Sequence, residues 1–109
     1  ICIGGCIGPF QDTILKRGAT AHLEIKECAK WFDQEILIQL MAPRTCIIIA
    51  GNKDHIWPYS GARIIYNKSK NIYELYSSQK NLELIKAFGI HTYYPELMWE
   101  SINRHIKQA

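Results

Sequence analysis

One segment near the middle of the chain reads Thr45-Cys46-Ile47-Ile48-Ile49-Ala50-Gly51-Asn52-Lys53-Asp54. Its unbroken apolar run contains β-branched isoleucines and ends at Gly51, where a turn can begin. A short apolar run bounded in this way is typical of a strand that is buried on both faces. Such strands occur mainly in parallel sheets covered by helices. The segment therefore predicts an α/β fold with a central strand over residues 45–51.

A second strand is predicted farther along the chain, where Asn81-Leu82-Glu83-Leu84-Ile85-Lys86-Ala87-Phe88 alternates and runs into Gly89. Alternation suits a strand nearer the edge of a sheet. The residues between the two strands have the pattern of a crossover helix over positions 58–76, which would join parallel neighbours. We therefore expect Leu82–Ala87 to lie parallel to residues 45–51, with helices that start near Pro58 and Pro95 packed on the sheet.

Both predicted helices have apolar residues at helical spacing. The expected stripes are Ala62, Ile65, Ile72, Leu75 and Tyr76 in the first helix, and Leu97, Met98, Ile102 and Ile106 in the second. Arg104 and Lys107 suit the C-terminal end of the second helix, where positive charge is favoured.

The first forty residues carry weaker signals. Residues 1–8 begin as an apolar strand and end in a glycine-rich turn, and residues 11–17 could form a short helical turn. Residues 19–32 are ambiguous, although positions 21–26 alternate like a strand. Asp33 can cap a short helix with Ile36, Leu37 and Leu40 on one face. The predicted order is strand, excursion, helix, strand, helix, strand, helix.

The predicted strands over residues 45–51 and Leu82–Ala87 are each followed by a titratable side chain, Asp54 after the first and His91 after the second. Catalytic groups and ligands gather outside the carboxyl ends of strands in open α/β sheets. A carboxylate that binds one imidazole nitrogen leaves the other nitrogen free to activate a nucleophile. The pair thus predicts a catalytic acid and base, whereas position alone is equally compatible with a turn aspartate and a surface histidine.

Residues 40–109 resemble the C-terminal part of the α/β-hydrolase superfamily. The likeness lies in Ala42-Pro43-Arg44, the strand that runs into Asp54, Trp57-Pro58, and the loop His91-Thr92-Tyr93-Tyr94-Pro95 before a closing helix. It is closest to the branch of acetyl-xylan esterases, dienelactone hydrolases and prolyl-oligopeptidase-like domains. The resemblance implies that Asp54 holds His91 and that His91 activates a serine or cysteine. One departure is Ile90, since that branch commonly has glycine directly before the histidine.

The nucleophile is missing from the expected place. No serine precedes Ser60, and the pentad Gly4-Gly5-Cys6-Ile7-Gly8 offers a cysteine in a Gly-x-Cys-x-Gly pattern instead. Against Cys6, Pro9 and the bulky Phe10 stand where small residues normally let the helix approach the strand. The chain also begins with isoleucine. We therefore expect residues 1–109 to be one partial domain, the C-terminal portion of a hydrolase, with its nucleophile upstream.

The expected function is hydrolysis of carboxylic esters, with acyl or peptide bonds as related options, through acid Asp54 and base His91. The resemblance implies a small-molecule ester substrate, no cofactor, and the remainder of the parent hydrolase domain as the partner of this chain. Two alternatives stay open. One is a cysteine hydrolase that uses Cys6, and the other is a non-catalytic α/β fragment or interaction module.

Composition excludes several other classes. A hydrophobic content of 48% suits a globular domain, and the net charge of +3 comes from dispersed basic residues rather than a nucleic-acid-binding stripe. The four cysteines form no Cys-x-x-Cys pair, so we expect no zinc site. No apolar run reaches the roughly 20 residues that span a bilayer. We expect His55 to be a loop residue, His22 and His105 to be surface residues, and Trp57, Tyr93 and Tyr94 to pack or line a pocket.

Overall fold

The computed structural model describes residues 1–18 and 27–108, which form a small α/β domain around a three-stranded sheet. The strands β1 (Cys2–Gly4), β2 (Cys46–Gly51) and β3 (Leu82–Ala87) lie in the order β1-β2-β3. All are parallel, with Cys46 opposite Cys2 on one side and opposite Leu82 on the other. The predicted parallel pairing of residues 45–51 with Leu82–Ala87 is confirmed.

Helices fill the connections between the strands. A six-residue π-helix covers Gln11–Lys16, and short 3-10 turns cover Cys28–Lys30 and Gln79–Asn81. The α-helices are α1 (Gln34–Gln39), α2 (Tyr59–Leu75) and α3 (Pro95–Gln108). The predicted helices over 58–76 and from Pro95 are therefore present. Pro58 is the N-cap of α2.

Strand β2 is buried along its whole length because helices cover both faces of the sheet. On one face, Ile48 and Ala50 belong to a core with Ala62 and Ile65 of α2 and Ile38 of α1. On the other face lies a second core. It comprises Ile47, Ile49 and Ala87 with Leu97, Met98 and Ile102 of α3. The two cores fix β2 at the centre, so its carboxyl end has a defined position.

The predicted apolar face of α1 is wrong. Ile36, Leu37 and Leu40 are exposed, whereas Gln34 and Ile38 point inward. This orientation of α1 places Gln34 against the glycine-rich segment, where its buried Oε1 accepts the Gly8 N–H at 2.7 Å. Asp33 caps the helix as predicted, since its side chain accepts the Gln34 N–H at 2.6 Å.

The stripe of α2 is correct at its start and wrong at its end. Ala62 and Ile65 are fully buried, but Leu75 is 80% exposed and Tyr76 is also exposed. The buried positions that replace them are Ser69 and Tyr73. Tyr73 takes a core position because its hydroxyl donates to the Arg44 carbonyl at 3.0 Å, just before β2.

In α3, Leu97, Met98 and Ile102 pack on the sheet as predicted, while Ile106 is exposed. The strand pattern over positions 21–26, and with it His22, lies outside the described residues. Among the residues that the structure describes, no helix is long and apolar enough to cross a membrane.

Candidate active site

Asp54 follows β2 by three residues and is buried, with 7% of its surface exposed. One carboxylate oxygen, Oδ1, accepts the backbone N–H groups of Ile56 and Trp57, both at 2.8 Å. Burial by itself would raise the pKa of Asp54. The hydrogen bonds from Trp57, His91 and Ile56 outweigh burial and hold that pKa below its ordinary value. Asp54 is therefore a carboxylate in the folded protein at neutral pH.

The second oxygen of Asp54 faces the histidine that follows β3. His91 Nδ1 lies 2.7 Å from Asp54 Oδ2, so the predicted contact between these side chains is confirmed. A carboxylate only accepts hydrogen bonds, which places the imidazole proton on Nδ1 and leaves Nε2 without one in the neutral ring. The His91 side chain is 42% exposed. The contact thus fixes one ring nitrogen and leaves the ring accessible from the surface.

The two loops that carry Asp54 and His91 are bonded to each other by their backbones. Asn52 N–H donates to the Ala87 carbonyl and Lys53 N–H donates to the Gly89 carbonyl, both at 2.9 Å. Glycine is needed at position 51, because a Cβ there would lie 2.5 Å from the Gly89 carbonyl oxygen. The acid and the histidine are therefore held by one joined pair of loops.

Sequence reasoning missed the hydrogen bonds that two side chains make in these loops. Asn52 Oδ1 accepts the Gly89 N–H at 3.0 Å, and the Tyr94 hydroxyl donates to the Ile90 carbonyl at 2.5 Å. The position of Asn52, directly after β2, does indicate such a contact. A polar residue directly after one parallel strand can reach the turn that follows its neighbour, since both lie at the same edge of the sheet.

The neighbouring aromatic and histidine residues differ in exposure and contacts. His55 is exposed, as expected for a loop residue, and its backbone carbonyl accepts a hydrogen bond from the Arg17 guanidinium at 3.0 Å. Trp57 is 3% exposed and belongs to the core. Tyr93 is exposed and its hydroxyl contacts the Met98 sulfur, while Tyr94 packs against the core beneath α3.

Cys6 lies two residues beyond the end of β1, and the next helix begins only at Gln11. This geometry is a loop and not a sharp strand-to-helix elbow of the kind that presents a nucleophile. Partial burial and the charge of Asp54 raise the pKa of the Cys6 thiol. Both factors keep sulfur in its protonated, weakly nucleophilic form.

A second acid–histidine contact lies near the other end of β3. Glu83 Oε2 is 2.8 Å from His105 Nε2, and the same carboxylate accepts hydrogen bonds from Ser101 and Arg104. The prediction that His105 is a surface residue is wrong, because only 9% of its side chain is exposed. Ser101 is fully buried and its hydroxyl points at the acid, not at the histidine. This cluster ties α3 to β3.

Comparisons with known proteins do not assign the chain to a family. No protein-family model, no curated protein and no solved structure matches it. Functional inference therefore depends on the geometry around Asp54 and His91.

Proposed function

We propose that this chain is the C-terminal part of an α/β-hydrolase that cleaves carboxylic esters. The observation that carries the proposal is the 2.7 Å contact between Asp54 Oδ2 and His91 Nδ1 at the carboxyl edge of a parallel sheet. In this role, Asp54 orients the imidazole and stabilises its protonated form. His91 Nε2 removes a proton from the nucleophile and later returns it to the leaving group.

The nucleophile of the proposed mechanism is a serine upstream of Ile1. Its hydroxyl oxygen attacks the ester carbonyl, the alcohol leaves with the proton carried by His91, and water activated by His91 releases the acid. Two observations favour an upstream serine over Cys6. The Cys6 loop lacks elbow geometry, and the pKa of its thiol is raised.

The decisive experiment is Asp54→Asn in the full-length protein, assayed by hydrolysis of a chromogenic ester. Asparagine can still accept the N–H groups of Ile56 and Trp57, so the loop keeps its shape. It cannot hold the same imidazole tautomer, and kcat should fall by roughly 10⁴-fold. The matched control is His55→Ala, which removes the adjacent imidazole and leaves the site intact. A fully active Asp54→Asn protein would contradict the proposal.

A labelling experiment identifies the nucleophile separately. A fluorophosphonate reagent reacts with an activated serine, and peptide mapping should locate the label upstream of Ile1. Alkylation of Cys6 by iodoacetamide should leave turnover nearly unchanged. Stoichiometric modification of Cys6 with loss of turnover would instead make the protein a cysteine hydrolase.

A further inference from the structure

Asn52 connects the loop that carries Asp54 to the loop that carries His91. Its side-chain Oδ1 accepts the Gly89 N–H at 3.0 Å, two residues before His91. Two backbone bonds flank this contact and run in the opposite direction: Asn52 N–H donates to the Ala87 carbonyl at the end of β3, and Lys53 N–H donates to the Gly89 carbonyl. The Gly89 N–H is thus bound by the Asn52 side chain, and the Gly89 carbonyl oxygen is bound by the Lys53 backbone.

The other side of the histidine loop is fixed by Tyr94. Its hydroxyl donates to the Ile90 carbonyl at 2.5 Å, directly before His91. A Cβ on Gly89 would lie 2.7 Å from that hydroxyl, and a Cβ on Gly51 would lie 2.9 Å from it. The tyrosine hydroxyl therefore occupies a space that only two glycines leave open.

These contacts restrict the backbone on the N-terminal side of His91, because the backbone groups of Gly89 and Ile90 are hydrogen-bonded. Asp54 is fixed independently through the N–H groups of Ile56 and Trp57. The 2.7 Å contact between the acid and the histidine then depends on the distance between two loops. Three hydrogen bonds join these two segments, two from backbone N–H groups and one to the Asn52 side chain.

We propose that Asn52 is a positioning residue, whose amide oxygen sets the distance between the Asp54 and His91 loops through Gly89. This inference rests on the proposed hydrolase function for its effect on turnover. The part of the inference that concerns the alignment of His91 with Asp54 is independent of that function. Asn52 acts through the backbone and does not touch the reacting atoms.

The test compares Asn52→Leu with Lys53→Ala in the full-length protein. Leucine approximates the size of asparagine but cannot accept the Gly89 N–H. Lys53→Ala keeps the backbone N–H that binds Gly89, so it serves as the control in the same loop. We expect Asn52→Leu to lower kcat by about 10- to 100-fold, the range for small misplacements of reacting groups, with KM little changed. Asn52→Asp keeps an acceptor oxygen and should recover most of kcat.

A second readout is independent of ester hydrolysis. The hydrogen bond from His91 helps to lower the pKa of Asp54. That pKa, followed by carbon NMR of the carboxyl group, should rise in Asn52→Leu part of the way toward the value found in His91→Ala. The Gly89 amide should also exchange its hydrogen faster. An unchanged Asp54 titration in Asn52→Leu would overturn the inference, even in an active enzyme. A wild-type protein without esterase activity would overturn the proposed function and leave the titration to decide the inference.

Discussion

Two regions of this domain join a carboxylate to a histidine with nearly the same distance. Asp54 and His91 meet at 2.7 Å beyond the carboxyl end of the sheet, and Glu83 and His105 meet at 2.8 Å near its amino end. Both carboxylates have a pKa held below the ordinary value by hydrogen bonds that outweigh burial. Distance and pKa alone therefore do not separate a candidate catalytic pair from a structural one.

The difference lies in what remains free after the contact is made. His105 is almost enclosed, and its partner Glu83 is also bound by Ser101 and Arg104 from the same helix. His91 uses Nδ1 and keeps a substantial part of its ring at the surface. A histidine on a loop beside an acid on another loop can exchange a proton with a third group. A histidine that anchors a helix to a strand serves packing.

The largest expected effect separates the two histidines. His91→Ala should abolish nearly all turnover per folded molecule of the full-length protein, at least the roughly 10⁴-fold lost with a triad aspartate. His105→Ala should lower the urea midpoint and leave kcat per folded molecule unchanged. Steady-state kinetics and urea denaturation on both variants check the contrast. Equal losses of activity in the two variants would remove the distinction.

The next effect concerns the glycines at two strand ends. A methyl group at Gly51 would press on the Gly89 carbonyl, the Ile90 carbonyl and the Tyr94 hydroxyl. Gly51→Ala should therefore cost about 1–3 kcal/mol of stability and displace the His91 loop. We expect a loss of turnover of about 10- to 100-fold beyond the loss of folded protein.

Gly4→Ala is the matched control for this substitution. Gly4 ends β1 as Gly51 ends β2, but no atom of the residues that the structure describes lies within 4 Å of a Cβ at that position. Its urea midpoint and kcat should stay close to the wild-type values. A Gly51→Ala protein that behaves like Gly4→Ala would show that the two loops tolerate a wider separation.

The sheet could be predicted from local sequence signals, and the Asp54–His91 contact from those signals together with the family resemblance of residues 40–109. An unbroken apolar run ending at Gly51 specifies a central strand, and a crossover helix makes the next strand its parallel neighbour. Parallel neighbours end at one edge, which brings the residues that follow them together. No knowledge of distant side chains is needed for that step.

The rotation of α1 and the Glu83 cluster could not be predicted because they depend on polar contacts between residues far apart in sequence. Gln34 displaces Leu37 from the interior by bonding to Gly8, twenty-six positions away. Glu83 sits on the α3 side of an edge strand and attracts His105 and Arg104. Hydropathy patterns count these side chains as surface residues, whereas satisfied hydrogen bonds let polar groups be buried.

A smaller effect is expected when the hydrogen-bonded cluster around Glu83 is disrupted. Glu83→Ala removes the acceptor for Ser101, Arg104 and His105, and leaves the fully buried Ser101 hydroxyl without that partner. We expect a loss of about 1–3 kcal/mol in the free energy of unfolding, measured by urea denaturation. Glu100→Ala breaks the exposed pair between Glu100 and the same Arg104, and should cost at most a few tenths of a kcal/mol. Equal costs would mean that the Glu83 cluster is no stronger than a surface pair.

The smallest effect is the response of the two carboxylates to acid, in which the regions should behave alike. Each pKa is lowered in the folded protein, so the unfolded chain binds protons more readily than the folded chain. The stability that each group contributes is then fully present above its unfolded pKa, near 4.5 for Glu83 and 3.8 for Asp54, and is lost as pH falls through the folded value.

The contribution of these two groups to the urea midpoint should be constant from neutral pH down to about pH 5 and should decline at lower pH. Glu83→Gln should remove the part of the decline that begins at the higher pH, and Asp54→Asn the part that begins at the lower pH. Because the stability contributed by both carboxylates is lost in the same direction, acid titration cannot distinguish a catalytic acid from a structural one, whereas the turnover of the same variants can. A urea midpoint that rises between pH 5 and pH 3 would contradict the lowered pKa of both groups.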